Sequence, residues 1–280
     1  MIPERAARVR AIREVWTGGA YERIAALFAP LTDALVGDMD LAGRRVLDAA
    51  TGTGNTALAA ARAGAQVCAF DLTPRLLDIA ALRARAEGLE IELVEGDLLA
   101  FPYPDDSFDV VLSTFGAFTA DDPARCAGEL VRVCRPDGRI VLTAWAREGL
   151  FAVLSAAVAE LHPDAVDRGR ADPRAWADPE GLARIFTGHD VRVEVETRTA
   201  WLPFPSVADG LALLEDAFGP TRRQRAAVVA ASAGQDRDGW EQVRALVLRR
   251  WADLARPAAD GIELPAAYGV AVITPAAPRG

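Results

Sequence analysis

Lysine is missing from the chain: all 31 basic residues are arginine, and 40 acidic residues outnumber them, for a formal net charge of −9. A polyphosphate surface is bound through clustered cations that release counterions, so this balance disfavours a nucleic-acid partner. Cysteine is scarce. Cys68, Cys126 and Cys134 are an odd, widely spaced set, which fits neither a disulfide framework nor a CxxC zinc pattern and suits a reducing compartment. Histidine is limited to His162 and His189, which leaves few imidazoles for acid–base work. Long apolar runs are lacking too. Leu150 to Ala159, the longest mostly apolar stretch, is too short to span a bilayer. Met1 to Trp16 carries Glu4, Arg5, Arg8, Arg10, Arg13 and Glu14 where a signal peptide needs an apolar run. A cytoplasmic protein without a membrane partner is expected.

What the chain contains is ordinary for a folded domain. Its 280 residues are 51% apolar and 25% charged, with 23 glycines and 17 prolines, which allows one large α/β domain or two small ones. Residues 1–40 read as an N-terminal helical cap: Ala7, Ile12 and Trp16, then Ile24, Leu27 and Phe28, fall at helical spacing on either side of Thr17-Gly18-Gly19. Residues 41–145 alternate strand with helix. From Arg45 the pattern changes: Val46 to Ala49 is a strand that runs into Thr51-Gly52-Thr53-Gly54, and Asn55 opens a helix that Gly64 stops. Val67 to Phe70 ends at Asp71, after which Thr73 can cap a helix with Pro74 in its first turn and Gly88 at its end. Ile91 to Val94, Phe108 to Leu112 and Ile140 to Trp145 are three further strands, the last two separated by a helix that Asp121-Asp122-Pro123 starts and that runs through Val133. This alternation implies a doubly wound parallel sheet covered on both faces.

Residues 146–280 add helices that are expected to cover the substrate, and two closing strands of the same domain. Val191 to Glu196 alternates strictly, as an edge strand does, whereas Val270-Ala271-Val272-Ile273 is unbroken apolar. The sixth strand therefore belongs at the edge and the seventh beside the fifth. From Pro275 the tail is expected to be mobile.

A glycine turn after the first strand of such a sheet lets a ligand lie against the next helix N-terminus at the carboxyl edge of the strands. Gly52-x-Gly54-x-x-Ala57 alone would also suit a dinucleotide. Asp48, four positions before Gly52, discriminates: a carboxylate there repels a pyrophosphate but favours an ammonium or sulfonium group. Asp71 at the tip of the second strand is placed to accept both ribose hydroxyls, a role common to NAD and adenosyl sites. Asp97 follows the third strand, where it can accept the exocyclic amine of adenine while Leu98 packs on the ring.

With these residues in view, the sequence resembles the class I S-adenosylmethionine-dependent methyltransferases, in particular the bacterial small-molecule branch related to the quinone-biosynthesis methyltransferases. The motifs that carry the resemblance are Val46-Leu47-Asp48-Ala49-Ala50-Thr51-Gly52-Thr53-Gly54-Asn55, Phe70-Asp71-Leu72-Thr73-Pro74, Glu95-Gly96-Asp97 with Phe101 to Asp109, and Glu129 to Val133 with Arg135-Pro136-Asp137-Gly138-Arg139. It is dense over residues 15 to 145 and faint beyond. Asp137 departs from the glycine common in the family, at what reads as a turn remote from the ligand. The resemblance implies a Rossmann-like sheet of seven strands, order 3-2-1-4-5-7-6, with the seventh antiparallel and a helical substrate cap. It further implies S-adenosyl-L-methionine as cofactor. Gly52 and Gly54 would border its methionine portion, Asp71 would hold the ribose, and Asp97 with Leu98 the adenine, with Asn55 and Leu72 as further cofactor-binding residues. Thr114 would lie near its amine and Tyr21 would reach its carboxylate.

The acceptor is expected to be a small, partly apolar metabolite, quinone-like or a natural product of secondary metabolism, with Phe115, Phe118, Trp145 and His162 as candidate pocket residues. Methyl transfer is an in-line displacement in which positioning and exclusion of water carry much of the catalysis, and a dedicated base is optional. Ser113-Thr114-Phe115-Gly116 is unlike the Asn/Asp-Pro-Pro-Tyr element of nucleic-acid amino methyltransferases, and no clustered carboxylates imply a metal. Two alternatives stay open: the same cofactor used for other chemistry such as a cyclisation, and a non-catalytic or dinucleotide-binding module.

Overall fold

The computed structural model describes residues 2–167, 169–233 and 238–276. The chain divides into two compact units. A sheet unit comprises Phe28–Trp145, Ala171–Arg198 and Tyr268–Gly280, and a helical unit comprises Met1–Leu27, Ala146–Arg170 and Thr199–Ala267.

The sheet begins with β1 (Arg45–Ala49), β2 (Gln66–Asp71), β3 (Ile91–Glu95) and β4 (Phe108–Thr114). It is completed by β5 (Cys134–Glu148), β6 (Val191–Phe204), β7 (Arg256–Ala258) and β8 (Gly261–Pro275). Its order is β3-β2-β1-β4-β5-β8-β6, with β7 paired to β8 off this path. β8 runs antiparallel to β5, from Ile140 opposite Ile273 to Trp145 opposite Tyr268. The expected order holds once the closing strand is numbered eighth. The expected count of seven is corrected to eight, because Arg256-Pro257-Ala258 is too short to show any periodicity and becomes a strand only by pairing with Gly261 to Glu263.

Alternation explains the last two positions, β8 and β6. Along Val191 to Glu196 burial alternates residue by residue, while Ala266 to Ala271 of β8 is buried throughout, so β6 keeps a wet face and β8 sits between neighbours. β1 starts two successions in opposite directions: β2 and β3 follow on one side, β4 and β5 on the other. Right-handed crossovers therefore send α3 (Asn55–Arg62) and α4 (Pro74–Ala86) to one face and α5 (Pro123–Val133) to the other. Val46, Leu47, Leu112, Ile140 and Ile273 are fully buried in this sandwich, each side chain contributing roughly 1.5–3 kcal/mol.

Three local expectations change. Arg135 to Gly138, read as a turn, is a bulged stretch inside β5: the register advances from Phe108 opposite Cys134 to Val110 opposite Arg139. A Cβ on Gly138 would lie 2.8 Å from the Asp109 carbonyl oxygen, so the bulge needs glycine there. Thr73 stands at the N-cap of α4 but its hydroxyl does not bond the helix; its N–H goes to Asp71 instead. Pro275, expected to open a mobile tail, is the last residue of β8, and the Ala276 N–H donates to the Asp190 carbonyl at 2.8 Å. Residues 277–280 lie outside the described residues.

The helical unit contains α1 (Ile2–Thr17), the start of α2 (Tyr21–Gly37), α6 (Gly149–Leu161), α8 (Val207–Ala217), α9 (Gly219–Ala231) and α10 (Gly239–Leu254), while α7 (Pro179–Ile185) belongs to the sheet unit. Trp240 and Trp251 of α10 are its largest buried side chains. The indole N–H of Trp251 donates to the Leu150 carbonyl at 3.1 Å, and that of Trp240 to Glu215 Oε1 at 2.6 Å. Among the described residues no helix is long and apolar enough to cross a membrane.

Candidate functional site

The carboxyl ends of β1, β2 and β4 converge on the turn that leads into α3. Ala50 has φ 58°, Gly52 φ 56° and Gly54 φ 88°, so three positions within five residues occupy the left-handed region. At Ala50 this conformation costs about 1–3 kcal/mol and persists only because its surroundings impose it. The imposing contacts are visible: Ser113 Oγ donates to the Ala49 carbonyl at 2.7 Å, and the Thr51 N–H donates to the Phe70 carbonyl at 2.9 Å. At Gly54 a Cβ would also stand 3.0 Å from Ala80 Cβ, so glycine lets α4 approach the turn.

Asp48 is buried at the end of β1 and accepts a hydrogen bond from Thr51 Oγ1 at 2.6 Å. Burial pushes its carboxyl up to about 7; hydrogen bonds from Thr51 and the Ala57 N–H oppose that rise, and the nearby Asp71 adds to it. A cation beside this group would restore its ionised form. Asp71, at the tip of β2, accepts from the Gly52 N–H at 2.9 Å through one oxygen and from the Thr73 N–H at 2.8 Å through the other. Burial raises its pKa and these main-chain donors hold it down. A carboxylate oxygen has a second lone pair, so the same two oxygens can still accept from a diol.

Asp97, buried after β3, accepts from the Leu99 N–H at 3.0 Å. A Cβ on Gly96 would meet the Phe70 ring at 2.7 Å, which makes glycine necessary for the chain to pass. Leu98 and Leu72 are half-buried beside these carboxylates in sequence. Thr114 ends β4, and its Oγ1 is buried without a hydrogen-bond partner. Such a group is costly unless something outside the protein meets it. The orphaned hydroxyl, the left-handed glycine turn and the three strand-tip carboxylates fit an adenosyl ligand carrying a cation.

The other candidates are placed differently. The Asn55 side-chain oxygen accepts from Arg83 Nη1 at 2.7 Å and so helps tie α3 to α4. Tyr21 belongs to the helical unit, its ring edge-on to Trp16 with centroids 5.3 Å apart. His162 is in the helical unit too, buried, with Nε2 3.1 Å from the Gly239 carbonyl oxygen. Phe118 is half-buried in the 3-10 turn Ala117–Thr119.

Phe115 and Trp145 do come together. Their rings stack at 3.9 Å and 13°, with Phe28 5.0 Å from Trp145 and Tyr268 5.7 Å from Phe115. Phe115 adopts φ 56°, and its N–H is held by the hydroxyl and the carbonyl of Thr143. Phe28 and Tyr268 carried no signal as site residues because they lie far from Phe115 in sequence. Thr51 and Ser113 lay inside the quoted motifs, and their hydroxyls beside strand-end carboxylate and carbonyl groups were the available clue.

Comparison with known proteins adds four findings. Residues 47–142 match the family model of the methyltransferase domain. An uncharacterised protein of Mycobacterium tuberculosis is 39% identical over 193 residues, 68% of this chain and 70% of its own length. Demethylmenaquinone methyltransferase of Thermus thermophilus is 43% identical over 106 residues, 37% of this chain and 48% of that protein. Among solved structures, the YcgJ protein of Bacillus subtilis superposes with a TM-score of 0.58 at 18% identity, covering 89% of this chain and 98% of that one; this last likeness concerns the fold.

Proposed function

Since the chain belongs to the class I S-adenosylmethionine-dependent methyltransferases, with S-adenosylmethionine as cofactor, we propose that it methylates a small, partly apolar, ring-bearing metabolite of the quinone or natural-product kind. The observation that carries this reading is the aromatic cluster at the carboxyl ends of β4 and β5. There the half-buried Phe115 lies face to face on Trp145, backed by Phe28 and Tyr268. Flat apolar rings stack on such a surface. The partial match to a demethylmenaquinone methyltransferase supports a quinone-like acceptor.

When bound, S-adenosylmethionine supplies a methyl group on a cationic sulfur. The chain's own residues orient and enclose the reactants. Asp71 accepts the ribose hydroxyls, with Leu72 beside the ring; Asp97 accepts the adenine amine and Leu98 packs on the base. Asp48, ionised by the approaching cation, stabilises it. Gly52 and Gly54 let the backbone close on the methionine portion, beside Asn55. Thr114 Oγ1 accepts from the amine, which gives that buried hydroxyl its partner. The stacked aromatics exclude water and hold the acceptor for in-line attack, which makes alignment the main source of rate. Burial holds the Tyr268 phenol above its ordinary pKa, with Arg198 pulling it back, so it stays protonated.

The test is incubation of the purified protein with methyl-labelled cofactor and a panel of naphthoquinols, phenols and hydroxylated polycyclic metabolites. Label in a small-molecule product is expected. Conversion of an acceptor without label uptake, or no turnover of any aromatic acceptor alongside turnover of aliphatic amines, would sink the proposal.

A further inference from the structure

The connection from Gly96 to Ser107, between β3 and β4, has almost no regular structure to satisfy its backbone; its one internal pairing is a bridge between Asp97 and Ala100. Main-chain polar groups in such a segment must be met by side chains or water. Here they are met from α5. Arg125, Glu129 and Arg132 stand four and three residues apart, which places them in one stripe along the helix. Arg125 Nε donates to the Leu99 carbonyl at 2.7 Å. Glu129 Oε2 accepts from the Phe101 N–H at 2.6 Å. Arg132 Nη1 donates to the Tyr103 carbonyl at 2.8 Å. Glu129 and Arg132 lock each other through two bonds, Nε to Oε1 at 2.9 Å and Nη2 to Oε2 at 2.8 Å. That pairing, with the Phe101 N–H, holds the Glu129 carboxyl below its ordinary pKa.

Alternate peptides of the loop, at 99, 101 and 103, are thus gripped by successive turns of one helix. The first grip leads to Asp97: Leu99 donates its N–H to the Asp97 carboxylate while its carbonyl, in the following peptide unit, is held by Arg125. We propose that the Arg125, Glu129 and Arg132 stripe is the positioning device of the adenine end of the cofactor site, acting through the 99–103 backbone on Asp97. The stripe thereby sets how well the enzyme tells adenine from a purine lacking the exocyclic amine. The inference rests on the reading of Asp97 as adenine acceptor given above. The three residues position; none of them touches the cofactor.

The probes are S-adenosylhomocysteine and S-inosylhomocysteine, which differ in the amine that Asp97 would accept, with binding measured by calorimetry on the full chain. Wild type should bind the adenosyl compound at least about tenfold more tightly, because a carboxylate facing a carbonyl loses a hydrogen bond and meets repulsion. Arg125→Ala removes an exposed side chain, so the fold persists. It should weaken the adenosyl compound by about three- to tenfold, leave the inosyl compound within about twofold, and so shrink the ratio. Glu129→Gln, which keeps an acceptor for the Phe101 N–H, should fall between wild type and Glu129→Ala. In an Asp97→Asn background Arg125→Ala should no longer change the ratio, as expected of two residues in one chain of contacts. Without any ligand, the amides of Leu99 and Phe101 should exchange hydrogen faster in the Arg125 and Glu129 variants.

Three results overturn the idea. Unchanged ratios in Arg125→Ala and Glu129→Ala, or parallel weakening of both compounds, would leave the stripe a purely structural support. A wild type that binds the two compounds equally would defeat the reading of Asp97 itself, before any variant is made, and the positioning role with it.

Discussion

In the sheet unit the buried carboxylates of Asp71 and Asp97 take main-chain N–H groups of Gly52, Thr73 and Leu99, residues of the turns that shape the carboxyl edge of the sheet. In the helical unit three buried polar contacts tie helix to helix: Trp251 to Leu150, Trp240 to Glu215, His162 to Gly239. The contrast separates two uses of the same chemistry. A side chain that satisfies a turn leaves lone pairs aimed at whatever sits on that turn, so its loss is felt by a ligand. One that latches two helices is consumed by packing, and its loss is felt by stability.

The harshest test of this division is Trp251→Ala. Removing a fully buried indole should cost about 3–5 kcal/mol in urea unfolding, while the affinity of the surviving folded protein for S-adenosylhomocysteine stays within about twofold. A large loss of affinity would break the comparison. Next is Asp71→Ala, which orphans two N–H groups and removes the diol acceptor. About a hundredfold loss of S-adenosylmethionine affinity is expected by calorimetry, from roughly 2–3 kcal/mol of lost charged hydrogen bonds, with the circular dichroism spectrum retained.

A finer test concerns pH. In the folded protein without ligand Asp48 keeps its proton up to about 7, against 3.8 ordinarily. The unfolded chain releases that proton earlier, so this group's stabilising contribution is complete below about pH 4 and is lost as pH rises through about 7. A sulfonium favours the ionised form, so S-adenosylmethionine should bind up to about tenfold more tightly at about pH 8 than at about pH 6. Asp48→Asn should flatten that profile; an identical slope in both proteins would place the titration elsewhere. The smallest effect belongs to the exposed Arg62 and Glu87 pair on the sheet unit. Arg62→Ala should change stability by about 0.2–1 kcal/mol and shrink further in high salt.

Much of the sheet unit is readable along the chain because its signals are local. A strand, a glycine turn and a helix lie within twenty residues of one another, and Asp48, Asp71 and Asp97 each occur at a strand end that periodicity alone locates. The bulge at Arg135 to Gly138 was hidden because a proline and a glycine spell a turn equally well, and only pairing with β4 made it part of a strand. Phe28 and Tyr268 could not be read as companions of Phe115, since nothing in either segment refers to the other. His162 was legible as an unusual residue but not as a partner of Gly239, seventy-seven positions away.

The amino-acid order by itself determined the alternation of strands and helices, the edge position of β6, the flanked position of β8 beside it and the acidic strand tips, because hydrophobic period and glycine turns act over a few residues. Tertiary structure alone decided the short β7, the stacking of Phe115 on Trp145, the grip of α5 on the loop after β3, and the high pKa of Asp48. Each of these depends on burial or on contact between segments distant in sequence, and neither quantity exists until the chain has folded.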